Sequence, residues 1–223
     1  MFDHIAPSYD RLNHVLSMNV DKLWRRHALK AIVDGTPQRI LDVACGTGDS
    51  TISIARAAGE GSTVTGVDIS EGMMALVEGK AAKAGVRDRI DLKVADGEAL
   101  PYEDGSFDRV TCAFGIRNFE HKGKGLEEFR RVLKPEGRVV ILELSVPQNP
   151  VVRWAYDLYF THLLPRVGGA LSGDKAAYRY LPASVHHFPD PKTFCRMMEQ
   201  AGFSGVRCRT FTFGLCRMFT GTR

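Results

Sequence analysis

Apolar positions along the chain follow two alternating rhythms. Phe2, Ile5, Tyr9, Leu12 and Leu16 recur at helical spacing, then Leu23, Trp24, Ala28 and Ile32, which predicts an N-terminal helical segment over residues 1–35. A short apolar run, RILDVAC (39–45), gives way to the glycine turn GTG (46–48). Asp49 and Ser50 then open an apolar-periodic stretch through Ala58, so the order reads strand, tight turn, helix. The alternation continues with a strand at 62–69, a helix at 71–85, strands at 90–96 and 107–116, a helix at 125–137 and a strand at 138–146. Strands separated by helical patterns of roughly 10–15 residues make βαβ units, hence a parallel sheet with helices on both faces. The expected fold class is α/β.

The rhythm breaks after Val146. Residues 147–189 hold five of the ten prolines (Pro147, Pro150, Pro165, Pro182 and Pro189) and a helical apolar face of Val151, Trp154, Ala155, Leu158 and Leu163. A helix at 190–203 follows, and then apolar runs at 206–214 and 215–222 stand almost back to back, which requires an antiparallel hairpin.

Composition narrows this picture. With 44% hydrophobic and 25% charged residues in 223, one soluble globular domain over 1–223 is expected. The net charge of +4 comes from scattered basic residues, which argues against a nucleic-acid partner, although an anionic membrane surface would attract such a chain weakly. Cys45, Cys112, Cys195, Cys208 and Cys216 are odd in number and form no CxxC pair, so neither a disulfide framework nor a metal site is expected. No basic stretch followed by an apolar run opens the chain, and no apolar window approaches the roughly 20 residues that span a bilayer. A cytoplasmic protein is expected.

Candidate chemistry gathers at the strand ends. Gly46 and Gly48 flank Thr47 in a turn where glycine admits positive φ and close backbone approach to a ligand. Asp68 ends the next strand twenty residues after Gly48, where a carboxylate can accept both hydroxyls of a ribose. Asp96, ending the third strand, can accept from an adenine amino group while Gly97 supplies a backbone N–H. A dinucleotide fingerprint would need Gly or Ala at position 51, where this chain has Thr51, and Asp49 sets negative charge where a pyrophosphate would lie. Asp42 adds a second carboxylate, and such charge suits the ammonium and sulfonium of S-adenosylmethionine. Taken alone, Asp42 and Asp49 would read equally well as helix-capping residues of a tight turn.

These residues resemble a class I S-adenosylmethionine-dependent methyltransferase and, more narrowly, the ubiquinone/menaquinone biosynthesis C-methyltransferase family. The similarity runs through FDHIAPSYDRLNHVLS (2–17), DKLWRR (21–26), LDVACGTGD (41–49), FGIRNFEHK (114–122), RVLKPEGR (131–138), LPRVG (164–168) and YRYLPASV (178–185). The glycine turn is common to many methyltransferases; FGIRN, FDxIAxxYDxLN and YRYL are more specific. The resemblance implies a seven-stranded, mostly parallel Rossmann-like sheet with its last strand reversed, N-terminal helices, and a helical lid over 147–189 after the fifth strand. It also implies cofactor contacts at Thr47, Asp68, Asp96 and Gly97. Where some members carry a serine before FGLRN-like residues, this chain has Ala113, so a contact through that hydroxyl is lost.

The implied reaction moves a methyl group to a ring carbon of a polyprenylated quinol, giving menaquinol from demethylmenaquinol or the matching step toward ubiquinone. Such a carbon becomes nucleophilic once a phenolic proton leaves. Aligning two bound reactants can contribute about 7–11 kcal/mol, so a modest base suffices. Arg117 and Asn118, just past the fourth strand, are the expected catalytic pair: a guanidinium to stabilise a phenolate and an amide to orient a hydroxyl or water. His121 and His162 are candidate bases, and Tyr178 and Tyr180 candidate contacts to the quinol hydroxyls. Trp154, Leu158, Tyr159, Phe160 and Leu163, beside Arg153 and Arg166, suggest a lid that receives the prenyl tail and rests on a membrane surface; packing on the sheet or a homodimer contact would explain the same stripe. Rival readings are a small-molecule O- or N-methyltransferase and a non-catalytic cofactor-binding subunit of a quinone-synthesis complex. A nicotinamide oxidoreductase is opposed by Thr51 and Asp49.

Overall fold

The computed structural model describes Ser17, residues 19–159 and residues 175–223. Residues 1–16 of the expected N-terminal segment, and the stretch with Phe160, His162, Leu163, Pro165 and Arg166, lie outside the described residues, as do the side chains of 175–179, Tyr178 among them.

Seven strands form one sheet: β1 (Arg39–Val43), β2 (Thr63–Asp68), β3 (Ile90–Val94), β4 (Phe107–Ala113), β5 (Leu133–Leu144), β6 (Ser204–Phe211) and β7 (Cys216–Thr222), in the spatial order β3-β2-β1-β4-β5-β7-β6. The pairings from β3 through β5 are parallel, and β7 runs antiparallel to both β5 and β6. The reversed last strand is thus inserted between β5 and β6 rather than added at an edge. Around the sheet lie α1 (Val20–Ile32), α2 (Asp49–Ala57), α3 (Glu71–Lys83), α4 (Lys122–Val132), α5 (Pro150–Leu158), α6 (Lys175–His187) and α7 (Pro191–Gln200).

Strand alternation divides the core between the two faces. Leu41, Val139 and Ile141 join Leu126 and Phe129 of α4 and Phe194 and Met198 of α7 in one cluster. Ile40, Val140 and Leu142 join Trp24, Ala28 and Ile32 of α1 with Ile54 and Ala55 of α2 in the other. Phe129 and Phe194 are fully buried, each contributing on the order of 1.5–3 kcal/mol by apolar transfer. Three helix starts carry side-chain caps. Ser70 accepts from the Met73 N–H, and Asn149 and Asp190 each cap a helix that begins with proline.

The largest departure from the periodic reading lies between the fourth helix and the fifth strand. The helix expected over 125–137 runs over Lys122–Val132 instead, and Leu133 already pairs with Phe107 in the sheet. Pro135 has no N–H to close a last helical turn and disfavours the helical conformation at Lys134. Glu136 takes a positive φ of 63°, and the chain enters β5 across a register shift.

The chain leaves β1 toward β2 and β3 on one side and returns to β4 and β5 on the other. This reversal opens a crevice outside the carboxyl ends of β1 and β4, where open α/β sheets bind ligands.

Candidate active site

A cavity of about 680 Å³ occupies that crevice, a size that suits a small-molecule site. Its floor is the tips of β1, β2 and β4, and its walls include Trp24 and Arg25 from α1 and Val152, Ala155 and Tyr156 from α5.

The glycine turn is organised by Asp68. Its Oδ2 accepts the Gly46 N–H at 2.8 Å and its Oδ1 the Ser70 N–H at 2.9 Å, so one carboxylate fixes both the turn after β1 and the entry to α3. Gly48 has a φ of 83°, and a Cβ there would sit 2.6 Å from Val77 Cγ1, so both conformation and packing against α3 demand glycine. Ala44 (φ 56°) and Phe114 (φ 63°) hold the same left-handed conformation without being glycine, one at the tip of β1 and one at the tip of β4. Both line the cavity.

Asp42 is fully buried beneath the turn. Its Oδ2 accepts from the Thr51 hydroxyl at 2.6 Å, while its Oδ1 has no hydrogen-bond partner. Burial pushes its pKa up to about 6, against the opposing pull of the Thr51 hydroxyl and the Arg25 charge. Thr51 stands where a dinucleotide fingerprint has glycine because its hydroxyl serves this carboxylate. Asp49 also lines the cavity and is ion-paired with Lys80, whose ammonium reaches the Thr47 hydroxyl at 3.4 Å. Much of the Asp49 charge is spent within the protein, whereas Asp42 keeps a buried oxygen with no hydrogen-bond partner.

At the end of β3, Asp96 Oδ1 accepts the Glu98 N–H at 2.8 Å. A Cβ on Gly97 would lie 2.4 Å from Phe119 Cζ and 2.9 Å from Val43 Cγ1, so the backbone here is pressed against the cavity floor. Asp68, Asp96 and Gly97 line the cavity with Gly46 and Thr47, five of the six expected cofactor positions; Gly48 shapes the turn from beneath, against Val77.

Another part of the cavity wall is built on the turn after β4. Arg117 lines it with a side chain only 6% exposed, ion-paired with the fully buried Glu143 at 2.8 Å and donating to the Phe114 carbonyl oxygen. Asn118 Oδ1 accepts from the Tyr180 hydroxyl at 3.0 Å, which ties α6 to this turn. Tyr156 is buried beside them; burial pushes its phenol pKa up, the Asp157 charge adds to that, and the Arg117 charge opposes it. Ala113 lines the cavity without a hydroxyl, as the sequence requires.

His121 does not belong to this assembly. Its side chain is 67% exposed, with Nδ1 3.2 Å from Glu98 Oε2, and it is absent from the cavity lining. Burial raises the Glu98 pKa, but the backbone and ring bonds from His121 outweigh it, and the net shift is downward. His121 is therefore tied to a carboxylate at the surface and does not face the cavity as a base would.

Sequence reasoning missed Trp24, Arg25, Tyr156 and Glu143. Helical spacing gives Trp24 a packing role only, yet its Nε1 donates to Thr212 Oγ1 at 2.9 Å beside the cavity. Arg25 lies over the Phe114 ring, 4.9 Å from its centroid. Glu143 carried a readable signal: a carboxylate inside the apolar run VVILEL requires a buried partner.

The ubiE/COQ5 methyltransferase family model matches residues 1–223. The ubiquinone/menaquinone biosynthesis C-methyltransferase UbiE of Geobacter sulfurreducens is 46% identical over 223 residues, covering 100% of this chain and 87% of that protein. The demethylmenaquinone methyltransferase of Thermus thermophilus is 45% identical, with 100% of both chains covered, and that of Bacteroides fragilis 43%, with 100% and 91% covered. Among solved structures, the [4+2]-cyclase SpnF superposes with a TM-score of 0.75 at 16% identity, covering 100% of this chain and 93% of its own. A SAM-dependent methyltransferase from Aquifex aeolicus does so with a TM-score of 0.59 at 19% identity, with 89% and 88% covered. At these identities the two structures speak for the fold alone.

Proposed function

The chain belongs to the ubiE/COQ5 methyltransferase family, and from that membership we propose that it C-methylates a polyprenylated quinol at the expense of S-adenosylmethionine, converting demethylmenaquinol to menaquinol. The observation that carries this reading is one cavity lined by two chemically different sets of groups. One has carboxylates and backbone at a glycine turn; the other has a buried cation, an amide and a phenol among apolar walls.

The residues present fit the cofactor. Asp42 lines the cavity with a buried carboxylate oxygen that no protein group satisfies, which suits a cationic ligand. Each oxygen of Asp68 accepts one N–H and keeps a lone pair for a sugar hydroxyl, and Asp96 with Gly97 offers an acceptor and a backbone N–H to a base. Gly46 and Thr47 bring the backbone close, on a turn that Gly48 shapes from beneath. Bound there, S-adenosylmethionine supplies an electrophilic methyl group on a sulfonium.

In the second set, Arg117 and Asn118 act on the acceptor. The guanidinium stabilises negative charge on a ring oxygen as its proton passes to a water, which the Asn118 amide, held by Tyr180, orients. Tyr156 keeps its proton and serves as a donor. The walls from α1 and α5 exclude water, which strengthens each of these interactions.

The insertion acts as the entry for the prenyl tail. On α5, Val152, Ala155 and Tyr156 turn to the cavity while Val151, Trp154 and Leu158 are exposed on another face, and that outward face rests on the membrane surface. No helix among the described residues is long and apolar enough to cross a membrane.

The deciding experiment incubates the protein with methyl-labelled S-adenosylmethionine and demethylmenaquinol. Label in menaquinol is expected. Transfer only to small O- or N-acceptors, or no transfer despite cofactor binding, would replace this reading with one of its rivals.

A further inference from the structure

Glu143 does not line the cavity, yet it is the most completely enclosed carboxylate among the described residues, with an exposure of 0%. Three N–H groups converge on it. The Arg117 guanidinium and the Leu144 backbone N–H reach Oε1 at 2.8 Å each, and the Arg117 backbone N–H reaches Oε2 at 3.1 Å. The guanidinium nitrogen that meets Glu143 also donates to the carbonyl of Phe114, a residue itself held in the left-handed conformation. Arg117 is therefore gripped at its backbone and at its tip by one carboxylate from the neighbouring strand.

Such a pair is a poor stability device, because desolvating both charges roughly cancels their attraction and an apolar pair of equal volume would serve as well. What the arrangement secures is direction. A long, flexible side chain is reduced to one orientation at the cavity wall, beside the Tyr156 phenol that feels its charge.

We infer that Glu143 is a positioning residue for methyl transfer: without touching the acceptor, it holds the Arg117 guanidinium where the acceptor oxygen develops charge. This rests on the reading of Arg117 as the acceptor's partner. A displacement of about 1 Å at such a group can cost on the order of 10²-fold in rate.

The test measures kcat, quinol KM and S-adenosylmethionine Kd in the full chain for Glu143→Gln, Arg117→Ala and the double variant. Glu143→Gln is expected to keep the cofactor Kd within about threefold while kcat falls on the order of 10²-fold and KM changes little. In the Arg117→Ala background the same change is expected to cost less than about threefold more. Wild-type kcat in Glu143→Gln, a loss matched by an equal loss of cofactor affinity, or full additivity with Arg117→Ala would overturn the inference. Should Glu143→Gln fail to fold, Glu143→Asp decides, since it keeps the charge and shortens the reach. A kcat lowered at least about tenfold with intact cofactor binding supports the inference; wild-type kcat, or failure of both variants to fold, overturns it. Wild-type turnover in Arg117→Ala would instead remove the reading of Arg117, and absence of quinol methylation by the unaltered protein would remove the proposed function.

Discussion

Tyr180 donates its phenolic hydrogen to Asn118 Oδ1 at 3.0 Å, across 62 positions of sequence, and so fastens the helix that closes the insertion to the turn that carries Arg117. An exposed neutral hydrogen bond of this kind is worth about 0.5–1.5 kcal/mol. Tyr180→Phe is therefore expected to raise the quinol KM by roughly two- to tenfold and to leave the cofactor Kd unchanged. Steady-state kinetics paired with calorimetry of cofactor binding would check it; an unchanged KM would mean that this bond does not shape the acceptor site.

Gly97 sits where any Cβ would meet Phe119 and Val43 at under 3 Å. Gly97→Ala is expected to lower stability by roughly 1–3 kcal/mol through overpacking. It should also weaken S-adenosylmethionine binding, because the backbone beside Asp96 must retreat. Thermal melts and calorimetry on the same preparation measure the two effects, and an alanine variant that binds the cofactor as tightly as the parent would separate Gly97 from the cofactor.

Asp42 carries a pKa of about 6, against an ordinary 3.8. Because the folded-state value is raised, the folded protein binds the proton more tightly than the unfolded chain. Stability contributed by this group is full below the unfolded value and declines as pH rises to about 6. Asp42→Asn should therefore raise the melting temperature of the ligand-free protein at pH 7 and change it little near pH 4. The cationic cofactor should show the opposite trend, with affinity falling as the pH drops through about 6, and the asparagine variant should flatten that profile. Melts and binding isotherms across this range would test both signs.

The exposed face of α5 provides a separate test. Trp154 is 68% and Val151 74% exposed. A Trp154→Ser, Leu158→Ser double variant is expected to lose most of its co-sedimentation with anionic vesicles while keeping a normal melting temperature. Sedimentation of the unaltered chain at the level of a protein that does not bind vesicles would remove the proposed membrane contact.

Much of this molecule is written in local pattern. A run such as Ile40–Val43, a turn of Gly46 and Gly48, and a helix opened by Asp49 depend on neighbours a few positions away. Period and spacing therefore suffice to read the βαβ order and the carboxylate at the tip of β2. The final hairpin is likewise forced by two strands too close together for any crossover. Distant partners are another matter. Nothing near Asp49 announces Lys80, nothing near Arg117 announces Glu143 across 26 positions, and His121 reads as a site residue until Glu98 is seen to hold it at the surface. The cavity wall supplied by α1 belongs with these, since an apolar helical stripe looks the same whether it covers a sheet or a ligand. Periodicity reports which side of an element is buried, and only the packing of the elements reports against what. A charge inside that packing takes its meaning from the group brought within about 3 Å of it.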